Sequence, residues 1–364
     1  MKVDSLPPIV QSALERKLPP KIDYGIAFIG CGGIVNYGHI PAYKASGFHM
    51  MGGYDIKPEA AENTVREHGL EKVYASLDEV LIDPMVQIVD IAVVAWEQKN
   101  IVAKAVAAGK HMLCQKPFSD KYSEAIEMTN LAQQAGLKIA VHQQFRWSSL
   151  IRAVQAILLE GWVGELLDVQ VQVSIHTPWD MWPWLASQPR LEVLYHSIHY
   201  LDSLRFLFGD PLLVTSRHTK YPTQQAKGET KTITIWEYPN GLQILIAVCH
   251  FDWSPALYSL FRVLGTEGVI EGTIGTNYDY PHGRNDTLTF TSRTHPERNF
   301  SVTLPGRWIP DAFYGPMASL MEAIQTGGKP VTSGKDNLGT LRVIEASYRS
   351  MNEARSVSPS DIVA

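Results

Sequence analysis

Five short apolar runs, at 24–29, 50–54, 86–95, 112–114 and 138–141, alternate with helical patterns at 36–46, 58–68, 97–108 and 119–135. Most of the connections between them are short. Strands joined through helices in this way lie parallel, and right-handed crossovers put the helices on both faces of one sheet. The run VQIVDIAVVA at 86–95 lacks in–out alternation, as a strand covered on both faces requires. Pro58 stands in a first helical turn, and Gly109 and Gly136 close helices.

The pattern changes near Arg146. After a helix at 148–160, the stretch 166–174 alternates as a half-exposed strand does. A helix at 194–208 follows. Strands at 232–238 and 242–250 flank Pro239-Asn240-Gly241, a strong hairpin signal. A second hairpin at 258–264 and 269–273, strands at 288–292 and 300–304, and helices at 313–325 and 336–353 complete the chain. This half reads as a mostly antiparallel sheet with helices on one side. The expected division is an arm (1–22), a first domain (23–145) and a second domain (146–364), with room for the C-terminal helices to pack back on the first.

With 364 residues, 45% hydrophobic and 19% charged, the chain can build two cores. A net charge of −5 gives no basic footprint for nucleic acid or an anionic membrane. No apolar run approaches the roughly 20 residues of a membrane helix. Cys31, Cys114 and Cys249 stand far apart, which argues against a disulfide framework or a structural zinc site. Asp4, Pro7, Pro8 and Glu15 interrupt any apolar leader, so a cytoplasmic protein is expected.

Gly30-Cys31-Gly32-Gly33-Ile34 joins the first strand to the first helix. Gly30 suits a tight turn and Gly32 a close backbone approach to a pyrophosphate. The helix N-terminus beyond offers N–H groups and a positive dipole end. Val35 stands where the full G-x-G-x-x-G pattern carries Gly or Ala, so the residues also suit an ordinary strand–helix turn. Asp55 ends the second strand. An acid there accepts hydrogen bonds from ribose hydroxyls and repels a 2′-phosphate, which favours NAD over NADP; nearby Lys57 works against that preference.

The segments GCGGI…HIPAY at 30–43, AGKHMLCQKP at 108–117 and IHYLD at 198–202 match, in order, the main motifs of the glucose-fructose oxidoreductase/inositol dehydrogenase/rhizopine-catabolism (Gfo/Idh/MocA) family. The chain resembles that family over nearly its whole length after residue 22. The resemblance implies an α/β protein: an N-terminal Rossmann dinucleotide-binding domain, then an α+β domain with a large, mostly antiparallel, open-faced sheet. It implies NAD(P)-dependent oxidation of sugars, cyclitols or their derivatives, and a homo-oligomer (dimer, tetramer or higher) built through that sheet.

By the same resemblance, Lys116 is the lysine of the family's Glu-Lys-Pro motif, beside the nicotinamide and the substrate hydroxyl. Gln115 replaces the glutamate. A neutral amide removes an anion that would favour the charged lysine, so Lys116 is expected to titrate low and relay a proton. A lone lysine at a strand end would otherwise read as a surface residue. Cofactor contacts are expected from Gly30, Cys31, Gly32, Gly33, Ile34, Asp55, Ala95, Trp96, Asn100, Gln115 and Lys116. Asn100 stands where many members carry histidine, and Trp96 replaces a proline. Arg146 resembles the arginine of an Asn-x-Arg stretch, with ligand contact and a structural salt bridge both open.

His199 matches the family's catalytic histidine and Asp202 its downstream helix acid. Tyr195 occupies the place of the family's aspartate. Positions 195 and 199 share a face of an ideal helix, so a tyrosine can donate to the reacting oxygen beside a histidine base. His196 projects roughly 100° away, toward substrate or into the core. Glu192, His196 and His199 have a spacing that can hold a metal, but the resemblance does not favour one and no metal is expected.

Nine tryptophans are present, eight of them after Arg146 (147, 162, 179, 182, 184, 236, 253 and 308). Three fall in the Pro-punctuated loop 176–184. Stacked indoles suit a sugar face, with His176, Asp180 and Arg190 reaching its hydroxyls; an aromatic plug at an oligomer interface is the other reading. Trp308 and Asp311 are expected to close the same pocket. The whole points to NAD-dependent oxidation of a secondary hydroxyl, C3 for instance, of a sugar or glycoside. Lys116, His199 and Tyr195 are the catalytic candidates. Arg146, His176, Trp179, Asp180, Trp182, His196, His199, Trp308 and Asp311 are the substrate candidates. A closed redox cycle on tightly bound NAD and a non-catalytic sugar or NAD sensor remain as other classes, since fold alone does not choose.

Overall fold

A computed structural model describes residues 6–278, 280 and 283–363. Two compact units divide it. One comprises Arg16–Gln144 and Ile309–Gly339; the other comprises the chain up to Glu15, Phe145–Trp308 and Thr340–Val363. A single cut at 145/146 does not reproduce this grouping, because the stretch Ile309–Gly339 goes with the N-terminal sheet.

In the first unit, six parallel strands form one sheet. They are β1 (Ile26–Ile29), β2 (Met50–Tyr54), β3 (Lys72–Val73), β4 (Ile88–Ile91), β5 (His111–Cys114) and β6 (Ile139–Val141). Their order is β3-β2-β1-β4-β5-β6. The order reverses beside β1, the switch point at which doubly wound sheets leave a crevice for a dinucleotide. β1 and β4 are buried throughout, which explains their unbroken apolar runs.

The run at 86–95 yields a shorter strand than its sequence suggests. β4 ends at Ile91, and Ala95 already opens the helix Ala95–Ala107. After β1, Val35–His39 forms a π-turn and Ile40–Lys44 continues as α-helix. Gly38 lies in that turn against Phe313, where a Cβ would stand 2.7 Å from the ring. The C-terminal stretch also extends the sheet edge: Val141 N–H donates to Thr332 O at 2.8 Å, and Ala140 bridges Ser333.

In the second unit, eight strands form a sheet: β7 (Leu166–Ser174), β8 (Leu213–Thr219), β9 (Lys231–Glu237), β10 (Gln243–Cys249), β11 (Tyr258–Gly265), β12 (Gly268–Thr273), β13 (Thr287–Ser292) and β14 (Phe300–Thr303). The order is β14-β13-β12-β11-β7-β10-β9-β8. Only the β7–β10 pair is parallel. Burial alternates along the strands, with Trp236, Phe261 and Phe290 inside and Ile233, Ile235 and Leu260 outside. The short helix Pro8–Leu14 packs on helix Ser149–Leu159, where the Arg152 guanidinium donates to Leu14 O (3.3 Å) and Glu15 O (2.6 Å). A cation on the last carbonyls of a helix satisfies groups that have no partner within it. No helix among the described residues is long and apolar enough to cross a membrane.

Candidate active site

At the glycine turn, Gly30 adopts φ +95°, and a Cβ there would stand 2.5 Å from Ala92 O, so only glycine fits. Around Gly32 no atom lies within 4 Å of the place a Cβ would take. The turn therefore leaves an open cradle where a pyrophosphate approaches in this motif. The Asp55 carboxylate spans the turn: Oδ2 accepts from Cys31 N–H and Oδ1 from Lys57 N–H, each at 2.8 Å. Cys31 is buried, and burial together with Asp55 pushes its thiol up to about 12. It offers backbone, not a nucleophile. Val35, the departure from the motif, is fully buried and fills core. Cradle, helix start and acid together fit a dinucleotide.

Lys116 follows β5. The Gln115 Oε1 accepts from Lys116 N–H at 2.8 Å, which turns Gln115 Nε2 toward His39 Nε2 at 3.0 Å. An amide nitrogen only donates, so His39 Nε2 is the acceptor and its Nδ1 carries the proton. That Nδ1 donates to Asp90 Oδ2 at 2.8 Å, and Tyr43 OH donates to the same oxygen at 2.7 Å. The three side chains His39, Asp90 and Gln115 are all buried. From helix Ala95–Ala107, buried Gln98 donates to Gln115 O (2.8 Å) and Pro117 O (3.1 Å), pinning the loop on both sides of the lysine. Lys116 itself is half-buried, and desolvation lowers its ammonium from 10.5 to about 8. On the same helix Trp96 and Asn100 are exposed and Ala95 is buried.

In the second unit, Glu192–His196 is a π-turn, with Ser197 N–H donating to Glu192 O at 2.7 Å, and helix Ile198–Phe208 continues from it. This changes the helical phase that an ideal helix would give. Glu192 is fully buried. It accepts from the hydroxyls of Ser197 and Thr232 (the latter at 2.6 Å), and its Oε1 stands 3.6 Å from His196 Nδ1 and 3.8 Å from His250 Nε2. Burial pushes this carboxyl up, but its interactions with the two nearby imidazoles outweigh that and hold the group well below the usual carboxylate range. The grouping of Glu192 and His196 with His199 therefore needs correction, since their partner is His250. His199 instead meets Trp308 edge-on at 4.8 Å, and Tyr195 meets Trp184 edge-on at 5.9 Å.

Two substrate candidates are displaced. The Arg146 guanidinium is buried and bonds Asp202 through Nε (2.6 Å) and Nη2 (2.7 Å), while Thr340 Oγ1 donates to the same carboxylate at 2.7 Å. The salt-bridge reading holds for it. Trp179 is buried in a small core with Leu191 and Ala226, so its face is not offered to a ligand. His176 and Asp180 are exposed, and half-buried Trp182 stands edge-on to Tyr280 at 5.6 Å. Trp308 is buried beside Phe145, and half-buried Asp311 groups with the other unit.

Residues 24–143 match a family described as an oxidoreductase family with an NAD-binding Rossmann fold, and residues 156–358 match its C-terminal α/β domain. The chain belongs to the Gfo/Idh/MocA oxidoreductase family. Its cofactor is accordingly the nicotinamide dinucleotide NAD. A D-apiose dehydrogenase of Paraburkholderia graminis is 30% identical over 338 residues, covering 91% of this chain and 88% of the relative. A D-apiose dehydrogenase of Rhizobium rhizogenes is 29% identical over 339 residues, covering 91% and 96%. A solved oxidoreductase from Agrobacterium radiobacter, in complex with NAD+, L-tartaric acid and magnesium, superposes with a TM-score of 0.79 at 26% identity, covering 94% of this chain and all of that one.

In this Gfo/Idh/MocA oxidoreductase, several residues that hold the named ones carry no motif of their own. His39, Asp90 and Gln98 support the lysine loop, and His250 faces Glu192. One signal was available: Asp90 interrupts an apolar strand, and a charge buried there requires partners.

Proposed function

We propose that this enzyme is an NAD-dependent dehydrogenase that oxidises a secondary hydroxyl of a sugar or glycoside to a ketone, with C3 the position suggested by family analogy. One observation carries the reading: the lysine that follows β5 is desolvated enough to titrate near 8, and buried Gln98, Gln115 and His39 hold its loop. The two D-apiose dehydrogenases that match along most of this chain support a sugar as substrate.

When bound, the nicotinamide supplies the hydride acceptor. The chain's own residues do the rest. Gly30–Gly33 and Ile34 cradle the pyrophosphate, and Asp55 receives the ribose and repels a 2′-phosphate, which favours NAD over NADP. Ala95, Trp96 and Asn100 flank the cofactor. Lys116, as the neutral amine, takes the hydroxyl proton. By family analogy, His199 and Tyr195 orient the hydroxyl by hydrogen bonding. Exposed His176 and Asp180 and half-buried Trp182 are left to meet sugar hydroxyls and a ring face, with His196 as a further contact. Ile233, Ile235 and Leu260 face outward from the sheet among Gln170, Gln172 and Arg262, and a homo-oligomer through this face rests on family analogy.

The test is to supply NAD or NADP with a panel of aldoses, pentoses and aryl glycosides and follow the absorbance of reduced nicotinamide. Formation of NADH with a keto-sugar product supports the proposal. Silence across the panel, from protein that binds NAD, points instead to a closed redox cycle or a sensor.

A further inference from the structure

Glu192, His196 and His250 bring a carboxylate oxygen and two imidazole nitrogens within 4.8 Å of one another. The two nitrogens stand 3.6 and 3.8 Å from Glu192 Oε1. Those separations exceed hydrogen-bond length. They approach the edge of a coordination tetrahedron, which is about 3.4 Å when ligands lie about 2.0–2.1 Å from a central zinc ion.

Four further features suit a metal. His250 is fully buried, and its Nε2 has no hydrogen-bond partner. Its other nitrogen, Nδ1, is 2.8 Å from Thr177 Oγ1. A hydroxyl at Nδ1 fixes the ring and leaves the Nε2 lone pair directed at the cluster, the outer support that metal-bound histidines normally have. Glu192 is oriented in the same manner by the hydroxyls of Ser197 and Thr232. The two imidazoles meet perpendicularly at 4.4 Å between centroids, while a quarter of the His196 side chain is exposed. The cluster is therefore buried on one side and approachable on the other.

We infer that Glu192, His196 and His250 form a binding site for a divalent first-row transition metal, with zinc as the type ion and a fourth position open to water or an oxygen ligand. Two imidazoles and one carboxylate form a donor set that zinc accepts with an open position. The π-turn builds the site by stacking residue 196 over residue 192, and β10 delivers His250 just after its last residue. Metal binding is independent of the dehydrogenase reading, because its readout needs no sugar turnover.

The experiment uses full-length, tag-free protein, stripped with a chelator and desalted. It is titrated with Zn2+ against a competing chelator, and with Co2+ for the visible bands of a four-coordinate site. One equivalent per chain is expected in the wild type. His196→Ala, at the partly exposed edge, and His250→Ala should lose stoichiometric retention. Thr177→Val should weaken binding about 10–100-fold while the ligands stay in place. Circular dichroism checks each fold, and Glu192→Gln serves if His250→Ala does not fold. The inference is overturned if the wild type retains no stoichiometric metal. It is also overturned if folded His196→Ala and Thr177→Val bind like the wild type.

Discussion

Replacing Gln115 by glutamate restores the family's acid and puts a charge beside Lys116 without changing side-chain size. In the proposed oxidation the neutral amine is the active form. Activity therefore rises with pH up to the lysine's value of about 8 and levels above it. For an assumed separation of roughly 7 Å and an effective dielectric of about 20, a carboxylate favours the ammonium by about 2.4 kcal/mol, or about 1.7 pH units. Lys116 is only half-buried, so solvent screening offsets part of this, about half. The midpoint should then move up by about one unit. The assay is initial-rate kcat/KM for sugar oxidation at saturating NAD, from roughly pH 6 to pH 10. Gln115→Glu should lose about tenfold near pH 7 and recover at high pH. A profile that superposes on the wild type would refute the coupling of residue 115 to the lysine. Lys116→Arg, which cannot titrate in this range, should remove the limb altogether.

Three further outcomes follow from the geometry. Asp55→Asn weakens the bond to Cys31 N–H and abolishes repulsion of a 2′-phosphate, so kcat/KM should fall about tenfold with NAD and rise with NADP; an unchanged ratio would remove Asp55 from the ribose. Gly30→Ala forces a Cβ to 2.5 Å from Ala92 O at φ +95° and should cost about 2–4 kcal/mol in denaturant unfolding together with NAD affinity; a variant as stable as the wild type would contradict the turn's geometry. Arg146→Ala leaves the Asp202 carboxylate buried with only the Thr340 hydroxyl and should cost about 3–5 kcal/mol of stability; unchanged stability with a raised sugar KM would return Arg146 to the substrate.

Much of the fold is local and was readable. Short apolar runs, glycine ends and the Pro-Asn-Gly turn foretold both sheets, since each signal lies within a few residues of its element. β3, with only two residues, and β8, whose outward positions include half-buried Thr215 and exposed Arg217, gave too little pattern. The glycine turn and Lys116 were legible because a motif names them. Of their supports only Gln115 was named, because His39, Asp90 and Gln98 come from three other segments. The helix reading failed at 192–196, where a π-turn shifts the phase and pairs Glu192 with a residue from β10's end. Tryptophan count did not reveal burial: Trp236 is wholly buried in the sheet's core, whereas Trp253 is 81% exposed.

The most direct test of the central claim follows the hydrogen itself. A sugar that is turned over is deuterated at one ring carbon at a time, and the reduced cofactor is examined by mass spectrometry. The account expects deuterium to reach the nicotinamide from a single carbinol carbon, with a primary isotope effect that persists as turnover falls in Lys116→Ala. Unlabelled cofactor from every position, or undiminished turnover in Lys116→Ala, would contradict it.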